Sequence, residues 1–144
     1  MISDQQLIGA LLEARVRAIR SKDARAALVD CAPDFVCYDL APPLARVGAA
    51  ALDRDHLNAW FDTWDGPIGY EQRDVSITTG GGLAFVHGFL RISGTKTDGS
   101  TPDLWTRQTV CLCKRGGAWQ IVHEHISTPF YMDGSLKAAV DLTP

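Results

Sequence analysis

Two histidines near the end of the chain have the residue type and spacing that best suit chemistry. His123 and His125 stand two positions apart in residues 119–127, where apolar and polar side chains alternate. This alternation predicts a β-strand, in which residues two apart share one face. Imidazole exchanges protons near neutral pH, so the pair could serve as general acid and general base. The competing interpretation is that each is a buried, hydrogen-bonded structural histidine.

Arg107 and Asp39 supply the charges that such chemistry needs. Arg107 lies in a predicted strand at residues 103–114, and its guanidinium could bind a substrate carboxylate or an enolate oxygen. Asp39 ends a short predicted strand just before two prolines, where it could be a general base at the rim of a pocket. The alternatives are an internal salt bridge for Arg107, with Asp39 or Glu124, and a turn-capping role for Asp39.

Three aromatic residues and a third histidine complete the predicted pocket. Tyr38, Trp60 and Trp105 would form its walls beside His87, although side chains of these types usually belong to a core. His123 and His125 could hold a metal ion only with a further ligand such as His87. We therefore predict no metal and no other cofactor, and no glycine-rich phosphate-binding motif is present.

The hairpin between the last two strands decides whether Arg107 meets the histidines. A three-residue loop at 115–117 would place Arg107 opposite His125, with His123 on the same face. A two-residue loop at 116–117 would shift the register by one and place Arg107 opposite Ile126. We favour the first arrangement. It also gathers four residues at the apolar end of the same face: Cys111, Cys113, Trp119 and Ile121.

Helices come first and strands afterwards in the elements that must position these residues. Apolar residues at helical spacing predict a helix over residues 4–21, with Ser3 and Gln6 as a capping box. Two further helices are predicted, after Asp23 and after Gly48, the second reaching Trp64. Four long strands follow, at 68–79, 83–93, 103–114 and 119–127. This order predicts the α+β class, with helices on one face of a strongly curved antiparallel sheet.

Length and composition predict one globular domain over residues 1–144. The chain is 46% hydrophobic and 22% charged, with a formal net charge of −3, and its basic residues are scattered, so we expect no nucleic-acid partner. No apolar run is long enough for a membrane span, and no leader pattern precedes the first helix. We therefore expect a cytoplasmic location, with the four cysteines as free thiols.

Self-association is predicted from the second face of the sheet. Three short helices can cover only one face, and a large apolar face is rarely left in water. We therefore expect a homodimer through the outer face. The residues predicted to form that face are Val86, Leu90, Val110, Leu112 and Val122.

Three stretches of the chain resemble the SnoaL-like, ketosteroid-isomerase-like branch of the nuclear-transport-factor-2-like superfamily. They are YDLAPPL at 38–44, WTRQT at 105–109 and GAWQIVHEHIS at 117–127. The resemblance implies a cone in which a curved sheet wraps around a long helix, with a pocket at the wide end and, commonly, a homodimer. The carboxylate base and Tyr/Asp oxyanion hole of the steroid isomerases cannot be placed here. Tyr38 and Asp39 are adjacent and would face opposite ways.

Three functions fit a fold that hosts many chemistries. In the first, the protein is an isomerase, cyclase or dehydratase that needs no cofactor, with a histidine or Asp39 moving a proton and Arg107 stabilising an oxyanion. In the second, the same pocket binds a small apolar ligand without chemistry. In the third, the sheet face is a protein-interaction or assembly surface and the pocket is collapsed.

Overall fold

The computed structural model describes residues 1–144, and three helices lie in the first half of this chain. They are α1 (Asp4–Arg20), α2 (Ala24–Leu28) and α3 (Arg54–Phe61), with a 3₁₀ turn at Gly48–Ala50. The predicted capping box is confirmed: the Gln6 amide donates to the Ser3 hydroxyl, and the Ser3 amide donates to the Gln6 side chain. No helix is long and apolar enough to cross a membrane.

Six strands form one curved open sheet, and the predicted α+β class is confirmed. The strands are β1 (Cys31–Tyr38), β2 (Arg46–Val47), β3 (Trp64–Gly80), β4 (Leu83–Lys96), β5 (Asp103–Arg115) and β6 (Ala118–Ser127). Their order across the sheet is β2-β1-β6-β5-β4-β3. The prediction of a wholly antiparallel sheet is wrong at one pair, because β1 and β6 run parallel. The long chain between them provides the crossover that a parallel pair requires.

Two element boundaries differ from the prediction. Strand β1 starts at Cys31 and runs through Pro33, because the pairing with β6 is irregular between Cys31 and Val36 and so needs no donor from the proline. Helix α3 ends at Phe61, so Trp64 belongs to β3 and not to the helix. There it pairs with Lys96 at the far end of β4. Both differences lengthen the sheet beyond its predicted extent.

The core lies between the helices and one face of the sheet, called here the inner face. Helix α1 packs mainly on β3, and the most buried strand residues point towards the helices. The prediction that four of these form an outer apolar face is therefore wrong. Val86, Leu90, Val110 and Leu112 are all at most 3% exposed, inside the core.

A β-bulge in β6 divides that strand into two halves with opposite alternation. Arg115 pairs with Ala118, and this two-residue hairpin register holds as far as Leu112 and Ile121. The register then shifts by one, so that Cys111 pairs with His123. A bulge residue has no partner and reverses the inward and outward positions that follow it. The favoured three-residue loop is thus wrong, and the two-residue register holds only between the hairpin and the bulge.

Candidate ligand-binding site

A cavity of about 320 Å³ lies between the three helices and the inner face of the sheet. Of its 23 lining residues, 15 are hydrophobic, so the walls are mainly apolar. Every helix and every strand supplies part of the wall, and β2 does so through Arg46. The aromatic and aliphatic part of the lining includes Ile19, Leu28, Phe35, Leu57, Trp60, Trp64, Ile92, Leu104 and Ile126.

A buried ion pair forms the most enclosed polar part of the cavity wall. The two guanidinium NH₂ groups of Arg15 donate to the two carboxylate oxygens of Glu124. The Gln108 side-chain amide also donates to Glu124, at 3.0 Å, and Gln72 donates to Gln108 at 3.1 Å. The Arg15 and Glu124 side chains are only 14% and 6% exposed. The pair is therefore a desolvated, hydrogen-bonded network rather than a free acid and a free base.

Helix α1 and the β6 bulge bring these two charges together. Arg15 follows Ile8 and Leu12 on the buried stripe of α1, so its side chain faces the sheet. Glu124 faces inward because the bulge precedes it. Burial alone would lower the pKa of Arg15, but the Glu124 carboxylate more than compensates, and the pKa is raised above its usual range. The guanidinium therefore stays charged.

Tyr70 adds a neutral hydroxyl close to this pair. It lies on β3, lines the cavity, and its hydroxyl makes no hydrogen bond within the chain. Burial raises the pKa of the Tyr70 phenol above its usual range, and the Glu124 charge raises it further. The hydroxyl is thus a protonated donor that a ligand oxygen could accept from.

Asp39, Arg46 and His56 are polar residues at the more exposed side of the cavity. Arg46 donates to the Asp39 carboxylate at 3.1 Å, and the Leu40 amide donates to the same carboxylate at 2.7 Å. His56 lies in the first half of α3, and its ring nitrogens make no hydrogen bond within the chain. Imidazole can both donate and accept a proton, so His56 is the free acid–base group of the cavity.

Lys96 lies beside two tryptophans at the end of the cavity formed by α3 and the far ends of β3 and β4. Its ammonium nitrogen lies 3.9 Å from the ring centroid of Trp64 and 5.7 Å from that of Trp60. Gly94 permits this packing, since a Cβ there would lie 3.1 Å from atoms of the Trp64 ring. We call Trp60, Trp64 and Lys96 the tryptophan end of the cavity.

Of the eight residues predicted for the site, two line the cavity. Asp39 and Trp60 do so, and Asp39 is held by Arg46 rather than by Arg107. The prediction that the others share this pocket is wrong. The bulge and the strand alternation place six residues outside the cavity wall: Tyr38, His87, Trp105, Arg107, His123 and His125.

The predicted grouping of the two histidines does occur, on the outer face of the sheet. The Tyr38 ring contacts both His123 and His125 edge-on, with centroid distances of 4.7 and 5.4 Å. A ring nitrogen of His123 lies 2.8 Å from the backbone oxygen of Val36. Arg107 pairs with Ser127, one step along the same face. A chemical role for these residues stays a prediction, now for the outer face.

The remaining two predicted residues also lie on the outer face. His87 pairs with Thr109, which pairs in turn with His125, so one strand separates these two histidines. Trp105 packs between Arg73 and Arg91, whose guanidinium carbons lie 5.7 and 6.0 Å from its ring centroid. Neither residue reaches the cavity.

Five cavity residues escaped prediction from the sequence. Arg15 gave a signal, since it is a charge within the apolar stripe of α1, whereas Glu124 gave none, because alternation from Trp119 places it on the opposite face to Trp119 and Ile121. His56 stood in the apolar pattern of α3 and was assigned to its stripe. Tyr70 and Lys96 gave no signal, because the cavity reaches both only through the long β3–β4 pairing. The five are Arg15, His56, Tyr70, Lys96 and Glu124.

This architecture is a known one. The sequence profile of the SnoaL-like domain matches residues 8–131, most of the chain. The protein belongs to the SnoaL-like family. No curated protein sequence matches it significantly.

Solved structures agree with this SnoaL-like assignment. An NTF2-like protein of unknown function from Pseudomonas putida KT2440 is 29% identical, covers 100% of both chains and superimposes with a TM-score of 0.86. A protein described as a candidate ketosteroid isomerase from Shewanella frigidimarina is 20% identical over 83% of this chain and 93% of its own, with a TM-score of 0.70. The association domain of C. elegans CaMKII is 18% identical over 86% and 95%, with a TM-score of 0.66. The last two similarities establish the fold alone.

Proposed function

We propose that this SnoaL-like protein binds a small, largely apolar molecule in its cavity and moves a proton on it by side-chain acid–base chemistry. This is the chemistry of isomerases, cyclases and dehydratases. The observation that carries the proposal is an apolar cavity of about 320 Å³ with titratable side chains in its wall. That volume falls at the lower end of the range of small-molecule sites, about 300–1,000 Å³.

His56 and Asp39 are the residues we assign to proton transfer. His56 has no partner within the chain, so a ligand can engage it directly. Asp39 is oriented by Arg46 and by the Leu40 amide, which leaves its carboxylate partly exposed beside the cavity. Tyr70 would donate a hydrogen bond to a carbonyl oxygen and stabilise the charge that develops there.

One observation favours a binding protein without catalysis as the second candidate. Glu124 is the most buried carboxylate of the cavity, and it already accepts hydrogen bonds from Arg15 and Gln108. A base with its charge neutralised in this way is a poor proton acceptor. The deep part of the cavity would then serve shape and polarity recognition alone.

Native mass spectrometry of freshly purified protein, followed by turnover assays on whatever co-purifies, tests the proposal. We expect a retained small molecule, and we expect His56→Ala to abolish turnover while Asp39→Asn reduces it. His125→Ala is the matched control, because that histidine lies on the outer face. Turnover lost in His125→Ala and kept in His56→Ala would refute the cavity site. Ligand retention without turnover in wild-type protein would establish the binding alternative.

We also propose that the outer face mediates a homodimer. Leu83 and Phe85 of β4 point away from the core and are 61% and 48% exposed, which is unusual for large apolar side chains on a sheet. Sedimentation should show a species of twice the chain mass of 15.7 kDa, and Phe85→Asp should convert it to monomer. A monomer in wild-type protein at micromolar concentration would refute this, as would a dimer that survives Phe85→Asp.

A further inference from the structure

We infer that the ligand of the cavity carries a carboxylate group and that Lys96 binds this group at the tryptophan end. The inference rests on the proposed binding function and adds to it the chemical class of ligand and the residue that selects it. The ligand is thus an amphipathic acid, with an apolar body along the inner strands and its charged end beside Trp60 and Trp64.

Lys96 is a cavity cation without a carboxylate partner. Arg15 pairs with Glu124 and Arg46 pairs with Asp39, so their charges are matched within the wall. No carboxylate oxygen lies within 4.0 Å of the Lys96 ammonium, and its one hydrogen bond is to the Thr63 hydroxyl, at 2.7 Å. Lys96 is therefore the cavity cation whose charge is unmatched within the wall. The Asp53 carboxylate also lines the cavity, where it accepts from the Asp55 and His56 amides as the N-cap of α3.

The Lys96 charge lies against apolar aromatic rings. The ammonium lies over the face of Trp64, and burial lowers the pKa of Lys96, an effect that the nearby Asp98 partly opposes. Partial removal of water strengthens the attraction of a cation for an anion that reaches it. A carboxylate bound there could accept from the ammonium hydrogens that have no partner in the chain, since an ammonium has three donors and only one is used within the protein.

The tryptophan end also contains a second hydrogen-bond donor without a partner in the chain. The indole Nε1 of Trp64 is the one buried side-chain nitrogen or oxygen in the chain without a hydrogen-bond partner, and Trp64 is only 4% exposed. Buried polar groups are nearly always satisfied, so an orphan N–H in a cavity wall calls for an explanation. Because Nε1 is itself closed off from the cavity surface, a ligand oxygen could accept from it only after the Trp64 ring shifts towards the cavity.

A matched pair of probes tests the inference: 2-naphthoate and its neutral analogue 2-naphthamide, with binding measured by calorimetry at pH 7. We expect wild-type protein to bind the acid at least tenfold more tightly than the amide. Lys96→Met and Lys96→Gln should remove this preference with the amide affinity unchanged, and Lys96→Arg should keep it. Circular dichroism of each variant reports whether it is folded. The ratio of the two wild-type affinities tests the preference for the acid even if no variant folds.

Lys114→Met is the control variant. Lys114 is also a strand lysine near a tryptophan, 5.9 Å from the Trp119 ring, but it pairs with Asp4 and lies outside the cavity. It should leave the acid preference intact. Equal wild-type affinities for acid and amide would overturn the inference and leave the proposed binding function standing. If neither probe binds, both the inference and the proposed binding function are overturned. An acid preference that persists in Lys96→Met would overturn the role of Lys96.

Discussion

Adjacent polar residues of β6 lie on opposite faces of the sheet, and their surroundings differ greatly. Glu124, on the inner face, is 4% exposed and bonded to a guanidinium and an amide. Its neighbours His123 and His125 lie on the outer face against the ring of Tyr38. The residue that looked like a spacer between two histidines is thus the one inside the protein. Register, and not residue type, decides which polar group meets the cavity.

Removing the Glu124 carboxylate from the inner face should produce the largest loss of unfolding free energy. Glu124→Leu leaves the Arg15 guanidinium buried without a counter-charge, which costs about 3–5 kcal/mol of unfolding free energy. Urea denaturation followed by circular dichroism measures it. The double variant Arg15→Met/Glu124→Leu should recover much of the loss, because it removes both charges together.

The control for this prediction is the second ion pair of the cavity wall. The Asp39 side chain is 41% exposed, so Asp39→Asn should cost less than about 1 kcal/mol. Equal losses in Glu124→Leu and Asp39→Asn would show that the Arg15–Glu124 pair is solvated in solution, as the exposed pair is.

A pair of leucines on adjacent strands sharpens the comparison with a smaller effect. Leu112 is 1% exposed in the core, and Leu83 is 61% exposed on the other face. Leu112→Ala should lose about 2–5 kcal/mol, because it leaves a cavity as well as less buried surface. Leu83→Ala should change the unfolding free energy by less than about 0.5 kcal/mol when the chain is monomeric. A loss at Leu83 that grows with protein concentration would mean that a second copy covers it.

The smallest expected effect is a pH dependence on the inner face. Burial raises the pKa of the Cys37 thiol to about 12, and the Glu124 carboxylate contributes to the rise. At pH 8 about one Cys37 in 10⁴ would be a thiolate, so iodoacetamide should modify it far more slowly in folded than in unfolded protein. Mass spectrometry after timed alkylation measures the two rates.

The sign of the accompanying stability change follows from the same shift. The folded pKa of Cys37 lies above the ordinary thiol value, so the native state keeps its proton to higher pH than the unfolded chain does. The contribution of Cys37 to stability is therefore complete below pH 9 and declines as the pH rises towards 12. Cys37→Ala should flatten this part of the curve, and an unchanged slope would contradict the assignment.

The sequence alone predicts the elements well where a single period runs through them. Helix α1 follows the helical repeat of Ile8, Leu12 and Ile19, and β4 follows strict alternation from Ala84 to Ile92. These patterns reflect burial on one face, so they identify both the element and the buried side. The candidate site is harder to predict, since its residues come from all nine helices and strands and meet only in three dimensions.

The face of His123 and His125 could not be predicted, for a specific physical reason. Alternation from Trp119 would carry both histidines inward, and one unpaired residue in mid-strand reverses this. The bulge coincides with the irregular pairing of β1 against β6, a contact between residues some 90 positions apart. The local sequence does not predict a contact between residues so far apart. The family resemblance in the same stretch can be recognised without knowing the strand register.

The bulge also has a consequence for how this strand tolerates insertions and deletions. Val122 is the residue of β6 that has no partner on β5. Deleting it would leave Trp119, Ile121 and Glu124 on the inner face, because the residues on either side of it already alternate correctly with one another. Deleting Gln120 instead would turn the core residue Ile121 outward, with Val122 in its inward position. Length variation among relatives should therefore be accommodated at Val122, and a strand one residue shorter there can keep the same cavity.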